Sequence, residues 1–201
     1  MVEQSLWMQK VAADPGHSQW YIERFRALAQ AGADLTGEAR LIDAMAPRGA
    51  HILDAGCGPG RVGGYLAAAG HRVVGVDVDP ELIAAAQQDH PGPQWLVGDL
   101  AELDLPSRGV TEAFDIIVSA GNVMAFLAPS TRTLVLTRLR AHLADDGRAV
   151  IGFGAGRDYA FDQFLADAAE AGFATDLLLS TWDMRPRADD SDFLVAVLKP
   201  A

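Results

Sequence analysis

The bend Asp54-Ala55-Gly56-Cys57-Gly58-Pro59-Gly60 constrains the fold most, because it directly follows a short apolar run, His51-Ile52-Leu53-Asp54, and directly precedes a helix-patterned stretch, Gly60 to Ala69. Glycine lets the backbone turn sharply and lets a ligand approach the main chain with no side chain between them. A strand, a glycine bend and a helix in this order predict a crossover unit of a parallel sheet. The flanking sequence repeats the unit. Arg72 to Asp77 is predicted as a strand, and Pro80 to Gln88 as a helix capped by Asp79 with Pro80 at its first position. Gln94 to Val97 and the near-continuous apolar run Phe114 to Ser119 are predicted as further strands. Ser130 is expected to cap a helix carrying Val135, Leu136, Leu139 and Leu143, after which Asp146-Gly147 turns into the strand Ala149 to Phe153. One more helix runs to Gly172. Phe173 to Ser180 and Phe193 to Lys199 have no helix between them and should pair antiparallel.

Ahead of the bend, a polar lead-in gives way to a helix capped by Ser18, with Tyr21, Ile22, Phe25, Leu28 and Ala29 on one face. A second helix carries Leu41, Ile42 and Met45. With 201 residues, 50% of them hydrophobic, and no long linker, the chain reads as one domain, residues 1–201, made of a helical cap (1–48) and an α/β core (49–201). Met1 to Gly16 has neither a basic nor an apolar signal region, and no run of about 18 apolar residues occurs, so a cytoplasmic protein without a membrane partner is expected. Cys57 is the single cysteine, which excludes an internal disulfide and a multi-cysteine metal site, and no metal is expected. A formal charge of −11 without any Lys/Arg cluster disfavours nucleic acid, and Asp189, Asp190 and Asp192 read as a solvated turn.

Two more acids stand at strand ends. Asp77 closes the second strand, where its carboxylate oxygens suit the two hydroxyls of a ribose, and Asp99, in Gly98-Asp99-Leu100, suits an adenine amino group. An aspartate at a strand end is often only a cap or turn former, as Asp79 is expected to be. Three acids in order, one after each of the first three strands, point to a nucleoside. Gly58-Pro59-Gly60-Arg61-Val62-Gly63 also matches the dinucleotide fingerprint. In that fingerprint the first glycine sits at the strand end, whereas three residues, Ala55 to Cys57, separate Asp54 from Gly58 here. Pro59 also removes an N–H from the loop.

The segment Ile52 to Leu100 resembles the cofactor half of class I S-adenosylmethionine-dependent methyltransferases, in its glycine motif, ribose acid and adenine-edge acid. The resemblance implies an α/β fold with a Rossmann-like, doubly wound seven-stranded sheet of order 3-2-1-4-5-7-6, strand 7 antiparallel. It implies that Gly56, Gly58 and Gly60, with Ala55, line the methionine and adenosine moieties, and that Asp54 orients the methionine amino group. Asp77, with Val78 beside it, would hold the ribose, and Asp99 with Leu100 would frame the adenine. The fourth strand's end, Ser119-Ala120-Gly121-Asn122, would pass under the sulfonium, with Ala120 and Asn122 as contacts. Tyr21, on a first helix folded over the cofactor, and Arg61 are candidates for the methionine carboxylate, Arg61 being equally readable as a surface residue.

The implied activity is methyl transfer from S-adenosylmethionine to a small-molecule acceptor, leaving S-adenosylhomocysteine, with no catalytic residue identified. A cofactor-binding regulatory module without catalysis and an NAD-linked oxidoreductase are the alternatives. By the same resemblance His17, Trp20 and Tyr21 are candidates for the roof of the pocket, packing being an equal alternative for Tyr21 and the stronger one for Trp20, and His17 is also a candidate base, although a lone histidine in a polar lead-in is expected to face solvent. Asn122 to Phe126, Gly154 to Tyr159 and Thr181 to Asp192, with Trp182 and Met184, are candidate acceptor loops. No Asn/Asp-Pro-Pro-aromatic motif follows the fourth strand, which argues against amino methylation of nucleic acid. Asp77→Ala is expected to weaken S-adenosylhomocysteine binding by about 1–3 kcal/mol and leave the fold intact.

Overall fold

Strand β1 (His51–Ala55) is buried at every residue, as a strand covered on both faces must be. In the computed structural model, which describes residues 2–201, it pairs in parallel with β2 (Arg72–Asp77) on one side and β4 (Phe114–Ser119) on the other. Leu53 faces Val74 across one ladder, and Asp54 faces Val118 across the other. Beyond β2 lies β3 (Gln94–Val97). Beyond β4 lies β5 (Leu143–Gly154), then β7 (Phe193–Pro200) and β6 (Phe173–Leu179). The sheet therefore has seven strands in the order β3-β2-β1-β4-β5-β7-β6, with β7 antiparallel to both neighbours. The chain leaves β1 toward one edge and returns to β4 on the opposite side. This reversal opens a crevice above the carboxyl ends of β1 and β4.

The helices are α1 (Leu6–Ala13), α2 (His17–Gln30), α3 (Gly37–Met45), α4 (Arg61–Ala68), α5 (Pro80–Asp89), α6 (Val123–Phe126), α7 (Arg132–His142) and α8 (Phe161–Glu170). None of them is long and apolar enough to cross a membrane. Alternate strand residues feed two cores. Ile52, Ile116, Val118 and Val150 pack with Ile42 of α3 and Leu66 of α4, while Leu53, Ile117 and Ile151 pack with Leu136 of α7 and Phe164 of α8. A smaller cluster joins Trp7 of α1 and Ile22 of α2 to Leu82 and Ala85 of α5. Thus α3 belongs to the sheet's own layer, whereas α1 and α2 lie with α5 beside the crevice.

Several local expectations are corrected. The lead-in contains α1, whose N-cap Ser5 accepts the Met8 amide. Ser18 lies inside α2, whose cap is Gly16, and Ala29 is exposed. Thr131, not Ser130, precedes α7, while the Ser130 hydroxyl donates to Glu3. Leu143 opens β5 and is not part of α7. Asp79 does cap α5, accepting the Glu81 amide at 2.9 Å ahead of Pro80.

Candidate functional site

The crevice holds a cavity enclosing about 900 Å³, part of it open to solvent. Its floor is the glycine bend, its sides are the ends of β2, β3 and β4, and its roof comes from α1, α2 and α6. Among the residues anticipated for the cofactor, Tyr21, Asp54, Gly56, Gly58, Arg61, Asp77, Val78, Asp99, Leu100 and Ala120 come together in its wall. Ala55, Gly60 and Asn122 stand outside it. Ala55 is wholly buried in β1. Gly60 has a left-handed φ of 83°, and a Cβ there would come within 2.8 Å of Ala86 and 3.0 Å of the Trp95 ring, so backbone conformation and packing account for glycine there without a ligand. The side-chain oxygen of Asn122 accepts the Gly154 amide at 2.8 Å, which ties the end of β4 to the end of β5.

The bend satisfies its own amides. Gly56 and Cys57 donate to the Val76 carbonyl, Gly60 donates to the Cys57 carbonyl, and Gly58 donates to Asp77 Oδ2 at 2.8 Å. The first-turn amide of Gly63 in α4 goes to Asp54 Oδ2 at 2.8 Å. These donors are already engaged and Pro59 has none, which argues against a pyrophosphate seated on the bend.

The acids are matched to a nucleoside. Asp77 is pinned from both ends, Oδ2 by Gly58 and Oδ1 by the Asp79 amide at 2.9 Å, and each oxygen keeps a lone pair for the cavity. Burial pushes its carboxyl up to about 6 against the lowering effect of the Asp79 and Gly58 amides. Asp54, also enclosed, is pushed up to about 7, chiefly by burial. Asp99 Oδ1 accepts the Ala101 amide at 2.9 Å, and its other oxygen is left beside buried Leu100. At Gly58 a Cβ would meet nothing nearer than the Tyr21 ring at 3.9 Å, which leaves main chain open to a ligand. These features, gathered in one crevice, fit an adenosyl cofactor.

Of the roof residues expected from the sequence, Tyr21 lines the cavity and His17 and Trp20 do not, while Trp7 was not anticipated. Trp7 lines the cavity and meets Tyr21 and Phe126 edge-on, at 5.2 Å and 5.5 Å between ring centroids. Burial raises the Tyr21 phenol above its ordinary value, so it stays protonated. His17 is buried, not solvent-facing, between Trp7 at 5.0 Å and Trp20 at 5.2 Å, and it lies outside the cavity wall. Trp20 is 52% exposed. Arg61 is neither free nor a surface residue. Its guanidinium grips Glu38 with two bonds, 2.8 Å and 2.6 Å, and also donates to the Leu35 carbonyl.

Of the acceptor-loop candidates, Val123 and Phe126 reach the cavity. Tyr159 is core: it is 1% exposed, its hydroxyl donates to Asp167 at 2.6 Å, and its ring packs with Phe153 and Phe164. Trp182 lies against Gly152, where a Cβ would come within 2.3 Å of the indole, and Met184 is exposed.

Comparisons with known proteins agree with this geometry. The profile of the methyltransferase domain family matches residues 52–147. A crystal structure of a TehB-like SAM-dependent methyltransferase from Corynebacterium glutamicum is 52% identical, with a TM-score of 0.88, and the match covers 94% of this chain and all (100%) of that one. A malonyl-[acyl-carrier protein] O-methyltransferase of Pectobacterium atrosepticum is 31% identical over 105 residues, 52% of this chain and 40% of its own. A magnesium-protoporphyrin O-methyltransferase of Rhodobacter capsulatus is 36% identical over 103 residues, 48% of this chain and 43% of its own. The chain thus spans about two fifths of the length of these curated relatives.

Proposed function

Since the chain belongs to the S-adenosylmethionine-dependent methyltransferases, we propose that its crevice binds that cofactor beneath α1 and α2 and directs methyl transfer to a small-molecule nucleophile. The observation that carries the reading is Asp77, whose carboxylate is held by two main-chain amides in the wall of the crevice. Bound there, the cofactor supplies a methyl group on positively charged sulfur.

The protein's part is binding and placement. Asp77 accepts from the ribose hydroxyls, Val78 and Leu100 flank the adenine, and the free oxygen of Asp99 takes its amino group. Asp54 faces the methionine ammonium. The protonated Tyr21 phenol donates to the methionine carboxylate, with the Arg61–Glu38 pair alongside. Gly121 and Ala120, at the end of β4, bring main chain rather than bulk toward the reacting centre. Trp7, Phe126 and Leu127 keep water out. Among the described residues of the cavity wall no histidine stands, and burial pushes the Cys57 thiol up. No side chain is assigned the acceptor's proton, and acceleration comes from holding the reactants in line, an effect worth about 7–11 kcal/mol in favourable systems.

Calorimetry with S-adenosylhomocysteine and NADH side by side tests the binding half: the first should bind and the second should not. Transfer of labelled methyl to a panel of small metabolites tests the other half. Binding without transfer to any acceptor would support a regulatory module instead. A pH series adds a signature. A cationic ammonium needs ionised carboxylates, and those of Asp54 and Asp77 ionise near about 7 and about 6, so affinity should rise from about pH 5 to about pH 8 with release of protons. Buffers of different ionisation enthalpy measure that release, and a pH-independent affinity would remove both acids from the assignment.

A further inference from the structure

Asp79 was read from sequence as a helix cap, and one of its oxygens does only that. The other oxygen does something a cap does not require. Asp79 Oδ2 accepts Trp7 Nε1 at 2.8 Å and Ser18 Oγ at 2.5 Å, from residues 72 and 61 positions away, on α1 and α2. The carboxylate is 1% exposed and Ser18 is fully buried, so these are charge-assisted bonds in a dry setting. Meanwhile the Asp79 backbone N–H holds Asp77 Oδ1 at 2.9 Å. One residue thus grips both roof helices with its side chain and the proposed ribose acid with its main chain.

We propose that Asp79 is a positioning residue that latches α1 and α2 over the cavity and couples closure of this roof to cofactor binding through Asp77. The proposal rests on the functional reading above and adds a route by which ligand at Asp77 is felt at the N-terminal helices. Beyond these bonds the roof helices are held by a small cluster, Trp7, Ile22, Leu82 and Ala85 with partly buried neighbours, and by an exposed Arg26–Asp89 ion pair between α2 and α5, while the link between them, Asp14-Pro15-Gly16, is exposed. Trp7 is both a latch donor and part of the cavity wall, so a bound ligand packs against the group the latch holds. With the latch made, ligand should leave only after these bonds open. Without it, the same ligand contacts persist but the roof opens more often.

The test uses the full chain with S-adenosylhomocysteine. Asp79→Ser keeps a good cap for α5 but ends short of Trp7 and Ser18. Trp7→Phe together with Ser18→Ala removes the two donors while leaving Asp79 and the α5 cap in place, and Ser18→Ala alone removes one of them without altering the cavity wall to which Trp7 belongs. Each should raise Kd about tenfold, mainly through faster dissociation, the scale expected for losing charge-assisted bonds partly replaced by water. Combining all three substitutions should give no more than Asp79→Ser alone, since they break one unit. Trypsin cleavage after Lys10, an exposed residue of α1, reports roof opening: ligand should protect the wild type and fail to protect the variants. If Asp79→Ser does not fold, the Trp7/Ser18 variant carries the test alone. Wild-type dissociation and ligand protection in that variant would overturn the latch. A wild type that binds no S-adenosylhomocysteine would instead overturn the functional reading along with it.

Discussion

Asp77→Ala should weaken S-adenosylhomocysteine binding about a hundredfold, 2–3 kcal/mol, because two hydrogen bonds from a ligand to a charged acceptor disappear together. Its effect on folding has two parts of opposite sign. The amides of Gly58 and Asp79 lose their acceptor, at about 1–3 kcal/mol each if they stay dry. Against this, a carboxyl pushed up to about 6 by burial no longer has to be kept ionised, which returns roughly 3 kcal/mol above that pH. For an acid whose folded value is raised, the cost is complete above the folded value and vanishes below the unfolded one, so the returned part is full at pH 8 and shrinks as the pH falls toward 4. The variant should therefore melt close to the wild type at pH 8 and clearly below it near pH 5. The sequence-based expectation of an intact fold holds only at the alkaline end. Isothermal calorimetry and melting curves at both pH values check this, and unchanged affinity would contradict the ribose assignment.

The parts of the fold that could be read in advance are those whose signal is local. The bounds of β2, β3 and β4 follow from mainly apolar runs closed by Asp77, Gly98 and Gly121, even though Asp115 sits inside β4 and the edge strand β3 is only partly buried. The strand-end acids were legible for the same reason: the order of strands and bends places Asp54, Asp77 and Asp99 on one rim whatever the packing details. What could not be read depends on partners far along the chain. Ser18 looks like a helix cap in isolation, and only the folded chain brings Asp79 within reach of its hydroxyl. Gly60 looks like part of a ligand-facing loop, yet it answers to Trp95, whose indole also lies against Gly63 and Gly75. The helix α1 was hidden because it buries only Trp7, leaving too weak a stripe for a periodicity argument. Ser5 before Trp7 was the available signal, a capping residue ahead of a large aromatic.

Asp54→Asn should make the empty protein more stable and a poorer binder, and the two effects share one cause. Asp54 is fully enclosed, and burial, opposed by the Gly63 amide and by Arg61, holds its carboxyl near about 7 against an unfolded value of 3.8. At ~1.4 kcal/mol for each tenfold change in proton affinity, keeping it ionised in the empty site costs roughly 4 kcal/mol once the pH exceeds about 7. Asparagine retains an oxygen for the Gly63 amide and removes the charge. The apo variant should thus melt up to roughly 10 °C above the wild type at pH 8, with the gap closing as the pH falls toward 4. Saturating S-adenosylhomocysteine should reverse the ranking, because the wild-type carboxylate then faces an ammonium and recovers what burial cost it, while the amide has no charge to offer. Melting curves of both proteins, with and without ligand at pH 8 and pH 4.5, give all the terms. An apo variant that gains nothing at pH 8 would show that Asp54 is hydrated in solution. A variant that gains stability but binds as tightly as the wild type would place the ammonium elsewhere.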